Sequence, residues 1–295
     1  MKKAILATDL SKASDLLFDC ASQFKNLGIE QITLFHAPIV SFNYMEYSGY
    51  SMMVHIEARM INMRNKLKDL GFKADFVLKE GLPSQEITDF AAQRPDALVI
   101  MGSKGFGFAK RNLIGSTTLR VIQQSANPVL MIRIKNMGKN SGGQDECALE
   151  YKDLMSHGLL LTDFSANAGQ TYNYLKQNLS SSFEQLSIMH VQDSVALRHH
   201  HKETISRFNQ IDTARLQEMA EEIGEKTKTK PAIILVEGAV VPEIMREVKL
   251  NQVSMIVMGT HGRTHFSDFV LGSTVFSLIQ LAESNCLLIP FREAE

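Results

Sequence analysis

Two stretches of this 295-residue chain carry the residue types that hold phosphate. The first reads Met101-Gly102-Ser103-Lys104-Gly105 and is followed by Gly115-Ser116-Thr117. The second reads Met258-Gly259-Thr260-His261-Gly262 and is followed by Gly272-Ser273-Thr274. Both spell G-x2-G-x9-G-[ST], and each fixed position lies 157 residues from its counterpart (259 − 102, 262 − 105, 272 − 115). Glycines let the backbone approach an anion and turn N–H groups toward it. A helix N-terminus adds partial positive charge, and Ser or Thr hydroxyls donate hydrogen bonds. Lys104, Lys110 and Arg111 in one copy, and His261 and Arg263 in the other, supply further charge. The competing reading is a pair of tight turns with no ligand.

Each copy needs a strand before it and a helix after it. Apolar runs stand in the right places, Ala97–Ile100 before the first and Met255–Val257 before the second. Further runs at Ala4–Ala7, Ile32–Phe35, Phe76–Leu78 and Val129–Ile132 complete a first set. Leu159–Leu161, Leu186–Met189, Ile233–Val236 and Leu287–Ile289 complete a second. Between the first two runs, Leu16, Leu17, Cys20, Ala21, Phe24 and Leu27 share a helical face, with Ser11 as N-cap and Gly28 as stop. Helices are likewise expected from Met52 to Leu70, from Pro83 to before Pro95, and from the Gly115-Ser116-Thr117 step to about Ser125. Strands alternating with helices predict βαβ units, an α/β fold with mainly parallel sheets and helices on both faces.

The duplication reaches beyond the glycine loops. Thr8-Asp9-Leu10-Ser11 recurs as Thr162-Asp163-Phe164-Ser165, His36 as His190, and Glu80-Gly81 as Glu237-Gly238. Whole domains are therefore repeated, with a small insertion in the second half between its histidine and Glu237. The domains are expected over residues 1–136 and 154–295, joined by a linker at 137–153. That polar join contains Ser141-Gly142-Gly143-Gln144-Asp145, which imitates the SGGxD loop of adenylating pyrophosphatases. Such a loop leaves a strand directly, whereas here Lys135–Asn140 intervene, so a flexible linker is expected.

Composition narrows the function classes. With 44% hydrophobic and 21% charged residues the chain is globular, and a net charge of −1 offers no electrostatic footprint for nucleic acid. No apolar run approaches the ~18 residues of a membrane span, and none near the N-terminus forms a signal-peptide core. Cys20, Cys147 and Cys286 are too scattered for a disulfide framework or a metal knuckle, so a reduced cytoplasm is expected.

The doubled glycine motif, the TDLS and TDFS sequences and the closing runs at Asn127–Leu130 and Asn285–Pro290 resemble the universal stress protein family in its tandem-domain form. The resemblance covers both halves and implies two five-stranded, Rossmann-like domains of the HUP type. It further implies binding of ATP or a related adenine nucleotide such as AMP, with any Mg²⁺ held by that nucleotide. Carried over, the first site comprises Asp9, Ala37, Met101, Gly102, Ser103, Gly105, Gly115, Ser116 and Thr117. The second comprises Asp163, Val191, Met258, Gly259, Thr260, Gly262, Gly272, Ser273 and Thr274. Aspartate is placed by adenosine, the backbone of Ala37 or Val191 at the adenine edge, and the glycine loop at ribose and phosphates. The family also pairs domains through their last strands, which implies an intramolecular pseudo-dimer, with a homodimer as a further option. Three departures stand out: Ala7 and Leu161 where proline is common, and Pro38 directly after Ala37. Two sites of unequal affinity are expected.

Other residues invite readings that their spacing does not support. His199-His200-His201 are adjacent, and adjacent side chains diverge rather than converge on one ion. His36 and His190 read as structural histidines at strand ends, and Met52, Met53, Met60 and Met63 as helix packing. Asp9 and Asp163 have a rival role as caps of the turn into the first helix. No nucleophile–base pair, no acidic pair for Mg²⁺ and no G-x4-G-K-[ST] signature occurs. The leading reading is a nucleotide-binding stress sensor or regulator; a slow hydrolase or phosphotransferase and a partner-binding scaffold are the alternatives.

Overall fold

The computed structural model describes residues 2–38, 48–104, 114–139, 145–198, 201–225, 227, 230–262 and 271–292. The chain divides into two compact units, Met1–Glu150 and Tyr151–Glu295. In the first unit the strands are β1 (Lys3–Ala7), β2 (Gln31–His36), β3 (Lys73–Leu78), β4 (Ala97–Gly102) and β5 (Val129–Ile132). Their order is β5-β4-β1-β2-β3 and every pairing is parallel. The helices are α1 (Lys12–Asp19), α2 (Ser48–Asp69), α3 (Pro83–Ala92) and α4 (Ser116–Gln124).

After the hairpin strands β6 (Ile134–Lys139) and β7 (Asp145–Leu149), the second unit repeats the pattern. Its strands are β8 (His157–Leu161), β9 (Gln185–Asp193), β10 (Ala232–Gly238), β11 (Met255–Gly259) and β12 (Asn285–Ile289). They run parallel in the order β12-β11-β8-β9-β10. Its helices are α5 (Ala166–Asn178), α6 (Ser194–Leu197), α7 (Lys202–Gly224), α8 (Val240–Leu250) and α9 (Ser273–Leu281). The near-continuous apolar strands β4, β5, β11 and β12 are buried along almost their whole length, as a parallel sheet covered on both faces requires. Right-handed crossovers put the outgoing and the returning helices on opposite faces, and the returning pairs α3–α4 and α8–α9 pack together.

Two local features differ from expectation. The first helix stops at Asp19 and continues as a 3₁₀ turn over Ala21–Lys25. The apolar face survives the change, since Leu17, Cys20, Ala21, Phe24 and Leu27 are all buried. The segment expected as a flexible linker contains β6 and β7, paired antiparallel from Ile134↔Leu149 to Lys139↔Asp145. Adjacent polar pairs, Lys135-Asn136 and Asp145-Glu146, break the alternation, and β7 gains support by lying against α1. The SGGxD-like residues 141–144, like His199 and His200, lie outside the described residues. Among the described residues no helix is long and apolar enough to cross a membrane.

Candidate functional site

In the second unit the chain leaves β8 for β9 and β10 on one side and returns to β11 and β12 on the other. A crevice opens at the carboxyl ends of the strands where the order reverses, which is where α/β sheets place ligands. The TDxS sequence shapes the start of that crevice. Thr162 Oγ1 accepts the Phe164 N–H (3.0 Å), Asp163 Oδ1 accepts the Ser165 N–H (3.0 Å), and Ser165 Oγ caps α5 by accepting the Ala168 N–H (3.2 Å). The first unit repeats all three bonds with Thr8 to Leu10, Asp9 to Ser11 and Ser11 to Ser14. Leu10 and Phe164 both adopt φ 59°, a left-handed conformation that costs a non-glycine residue about 1–2 kcal/mol. One oxygen of each aspartate therefore fills the capping role. The second oxygen of Asp163, Oδ2, lies beside the glycine loop, 3.0 Å from where a Cβ on Gly262 would stand.

The end of β9 offers backbone groups to the same crevice. Thr162 N donates to Met189 O (3.0 Å), and β8 ends at Leu161. Backbone groups alternate sides along a strand, so those of Val191 share the Met189 side and point past the end of β8. Thr8 N bonds Phe35 O (3.0 Å) in the first unit and leaves Ala37 equivalent. His36 and His190 fix these strand ends, each Nδ1 lying 2.8 Å from the carbonyl of Thr8 or Thr162. A carbonyl only accepts, so each Nδ1 carries the proton. Both histidines are structural.

The glycine loops are pinned at their roots. Thr260 N donates to Ile289 O (3.0 Å) and Gly272 N to Thr260 O (3.1 Å). In the first unit Ser103 N donates to Ile132 O (2.8 Å) and Gly115 N to Ser103 O (2.9 Å). The fixed spacing of the motif is thus the length of a loop whose two ends are hydrogen-bonded together. Gly115 and Gly272 are the N-caps of α4 and α9 and supply no side-chain cap. The first-turn N–H groups of those helices are left for water or an anion.

Side chains outside the crevice hold each loop differently. Behind Gly259 sits the fully buried Asn167, whose Oδ1 accepts the His261 N–H (2.9 Å) and whose Nδ2 donates to Ile289 O (3.4 Å). In the first unit the corresponding contact on Gly102 comes from Ile134 of β6, and Ser103 Oγ accepts the Ile134 N–H (3.0 Å). Lys104 is buried there, and its ammonium is pushed below the usual lysine range by desolvation first and by neighbouring Arg133 second.

In the second unit a cavity of about 680 Å³ brings together Asp163, Val191, Met258, Gly259, Gly262, Gly272, Ser273 and Thr274. Thr260 is not in its wall: the side chain is buried, with Oγ1 2.9 Å from His261 Nδ1, and it braces the loop. Leu161, standing where the family commonly has proline, lines the cavity without closing it. Residues that the motif did not identify complete the wall, among them Gln192, Ala196, Phe208 and Asp212 from the end of β9, α6 and α7. They lie in the stretch where the halves diverge, so the repeat carried no signal for them. In the first unit Asp9 is exposed, whereas Ala37, Met101 and Ser103 are buried; Gly102 lies at the end of β4, and Ser116 and Thr117 open α4. Gly105, Lys110 and Arg111, like Arg263 in the second unit, lie outside the described residues.

Comparison with known proteins agrees with this architecture. The model of the universal stress protein family matches twice, over residues 1–133 and 157–290. Universal stress protein MJ0577 of Methanocaldococcus jannaschii is 27% identical over 157 residues, 46% of this chain and 96% of that protein. Universal stress protein YxiE of Bacillus subtilis is 32% identical over 72 residues, 24% of this chain and 49% of its own length. A solved universal stress protein from Archaeoglobus fulgidus has the same fold, with a TM-score of 0.73 at 22% identity over 98% of both chains. The repeated sheet order, the paired TDxS turns and the double match together make this chain a tandem member of the universal stress protein family.

Proposed function

We propose that the second unit binds an adenine nucleotide, ATP or AMP, and that the chain serves as a stress-response sensor or regulator. The observation carrying this reading is the convergence of eight motif residues on one cavity at the strand-order reversal. Its volume, about 680 Å³, suits a ligand of nucleotide size. Gly262, Gly272 and the uncapped start of α9 form the phosphate end, where a Cβ on Gly262 would press on Asp163. Asp163 is assigned to the ribose side and the Val191 backbone to the base. The first unit carries the same motif and is assigned the same ligand class. Any Mg²⁺ would be held chiefly by the phosphates: among the described residues, no group of three or more His, Cys, Asp or Glu could hold a metal ion.

Equilibrium titration of the purified chain with ATP, ADP and AMP tests the reading. Saturable binding that Gly262→Val reduces is expected; absence of saturable binding to all three would overturn it. Product analysis after long incubation with ATP separates a sensor from a slow hydrolase, and unchanged ATP is the expected result.

A further inference from the structure

The second cavity contains a carboxylate that the glycine motif does not supply. Asp212, on α7, lines the cavity with its side chain 15% exposed. Its Oδ2 accepts a hydrogen bond from Gln192 Nε2 (2.8 Å), and Gln192 is 6% exposed. The Nε2 of His190 lies 3.7 Å from the same oxygen. At that distance His190 makes no hydrogen bond to the carboxylate. Near the other oxygen, Oδ1, the contact among the described residues is Arg215 Nη1 at 3.8 Å, beyond hydrogen-bond reach, on a side chain 56% exposed. A carboxylate accepts at about four lone-pair positions, so Asp212 retains acceptor capacity on the cavity side.

The location of this acceptor is specific. Gln192 follows Val191 directly, and all three residues, Val191, Gln192 and Asp212, line the same cavity. His190 and Gln192 share one face of β9, the face that α7 covers. The helix is fastened to α5 by the Tyr172 hydroxyl and the Lys176 ammonium, both on Glu222 Oε2 at 2.7 and 2.6 Å. In the first unit Pro38 stands two residues after His36, where Gln192 stands two after His190. Proline has no side-chain donor, so the pairing belongs to the second unit alone.

We propose that Asp212, oriented by Gln192, reads the exocyclic amino group of the bound base and so sets base specificity in the second unit. An amino group has two N–H bonds: the Val191 carbonyl takes one and the Asp212 carboxylate the other. A base with a carbonyl at that position turns a lone pair toward the carboxylate and is rejected. The second site is therefore selective for adenine over hypoxanthine and guanine. This assignment rests on the nucleotide reading of the cavity.

The test uses the full chain and two ligands that differ at this one group, ATP and ITP. Binding to the second site is defined as the part lost in Gly262→Val. Wild-type protein is expected to prefer ATP by about tenfold or more, the usual worth of a hydrogen bond to a charged group. Asp212→Asn, whose amide also donates, is expected to reduce that ratio severalfold, the Val191 carbonyl keeping the rest, while the thermal transition of the unit stays in place. A wild-type ratio near one overturns the proposal without any Asp212 variant. An Asp212→Asn protein that binds ATP and ITP more weakly by the same factor also overturns it. In either case continued ATP binding leaves the nucleotide reading standing, whereas no ATP binding to wild type removes both.

Discussion

Gly259 and Asn167 form a lock whose energetics follow from the structure. A methyl group at Gly259 would stand 2.2 Å from Asn167 Oδ1 and 2.6 Å from its Cγ, far inside van der Waals contact. Asn167 is fully buried and bonded to His261 N–H and Ile289 O, so it can retreat only by giving up both bonds. Two net hydrogen bonds are worth about 1–3 kcal/mol together, and overpacking adds roughly 1–3 kcal/mol. Gly259→Ala is therefore expected to destabilise the second unit by about 2–6 kcal/mol. For a unit of this size that lowers its melting temperature by roughly 5–20 °C. Asn167→Ala should cost about 2 kcal/mol by itself, through the lost bonds and the unpaired His261 N–H. In that background the methyl group has room, so the double variant should be about as stable as Asn167→Ala. A double-mutant cycle by urea denaturation, followed through the transition of the second unit, measures the coupling. The first unit sets a precedent, with Ala13 at the position corresponding to Asn167 and Gly102 against Ile134 instead. Equal destabilisation by Gly259→Ala in both backgrounds would refute the reasoning.

Further expectations concern the loop, the cap and the thiols. Gly262→Val should abolish nucleotide binding to the second unit while leaving its fold, because the added Cβ crowds Asp163 Oδ2 at 3.0 Å and its methyl groups enter the cavity; isothermal titration and circular dichroism separate the two effects. Ser165→Ala should cost about 1 kcal/mol by uncapping α5, and Ser11→Ala a similar amount at α1, read from denaturation midpoints. Burial pushes the Cys20 thiol up to about 12 from 9.0, so it should resist iodoacetamide in the native state, whereas half-buried Cys147 reacts; mass spectrometry of labelled peptides decides. The unfolded chain releases the Cys20 proton first, so stability attributable to that group is intact below pH 9 and falls as pH rises toward 12. A Cys20→Ala variant should flatten that decline.

Much of the site could be read from the chain because its chemistry is local. Glycine loops, TDxS turns and strand-end histidines depend on residues a few positions apart, and a duplicated sequence displays each of them twice. Apolar runs likewise located the ten parallel strands of the two units among the described residues; the inner strands are buried on both faces and leave little room for polar positions, while the half-exposed β3 and β10 kept shorter runs. The β6–β7 hairpin is not legible in the sequence because its stability depends on a partner strand and on α1, neither of which leaves a periodic mark in a polar segment. Thr260 belongs to the glycine motif by position, and its hydroxyl lies against His261 Nδ1 in the tertiary structure.

The sequence by itself determined the repeated α/β architecture, the turn chemistry and the positions of the glycine loops, because those are set by residue type and short-range spacing. Only the tertiary structure decided what stands opposite the motif. Asn167 behind Gly259, Ile134 behind Gly102, and Asp212 on Gln192 are separated from their partners by 20 to more than 90 positions. Their meeting follows from strand order and from how α5, α7 and the hairpin pack. A pattern shared by both halves cannot encode contacts that each half makes in its own way.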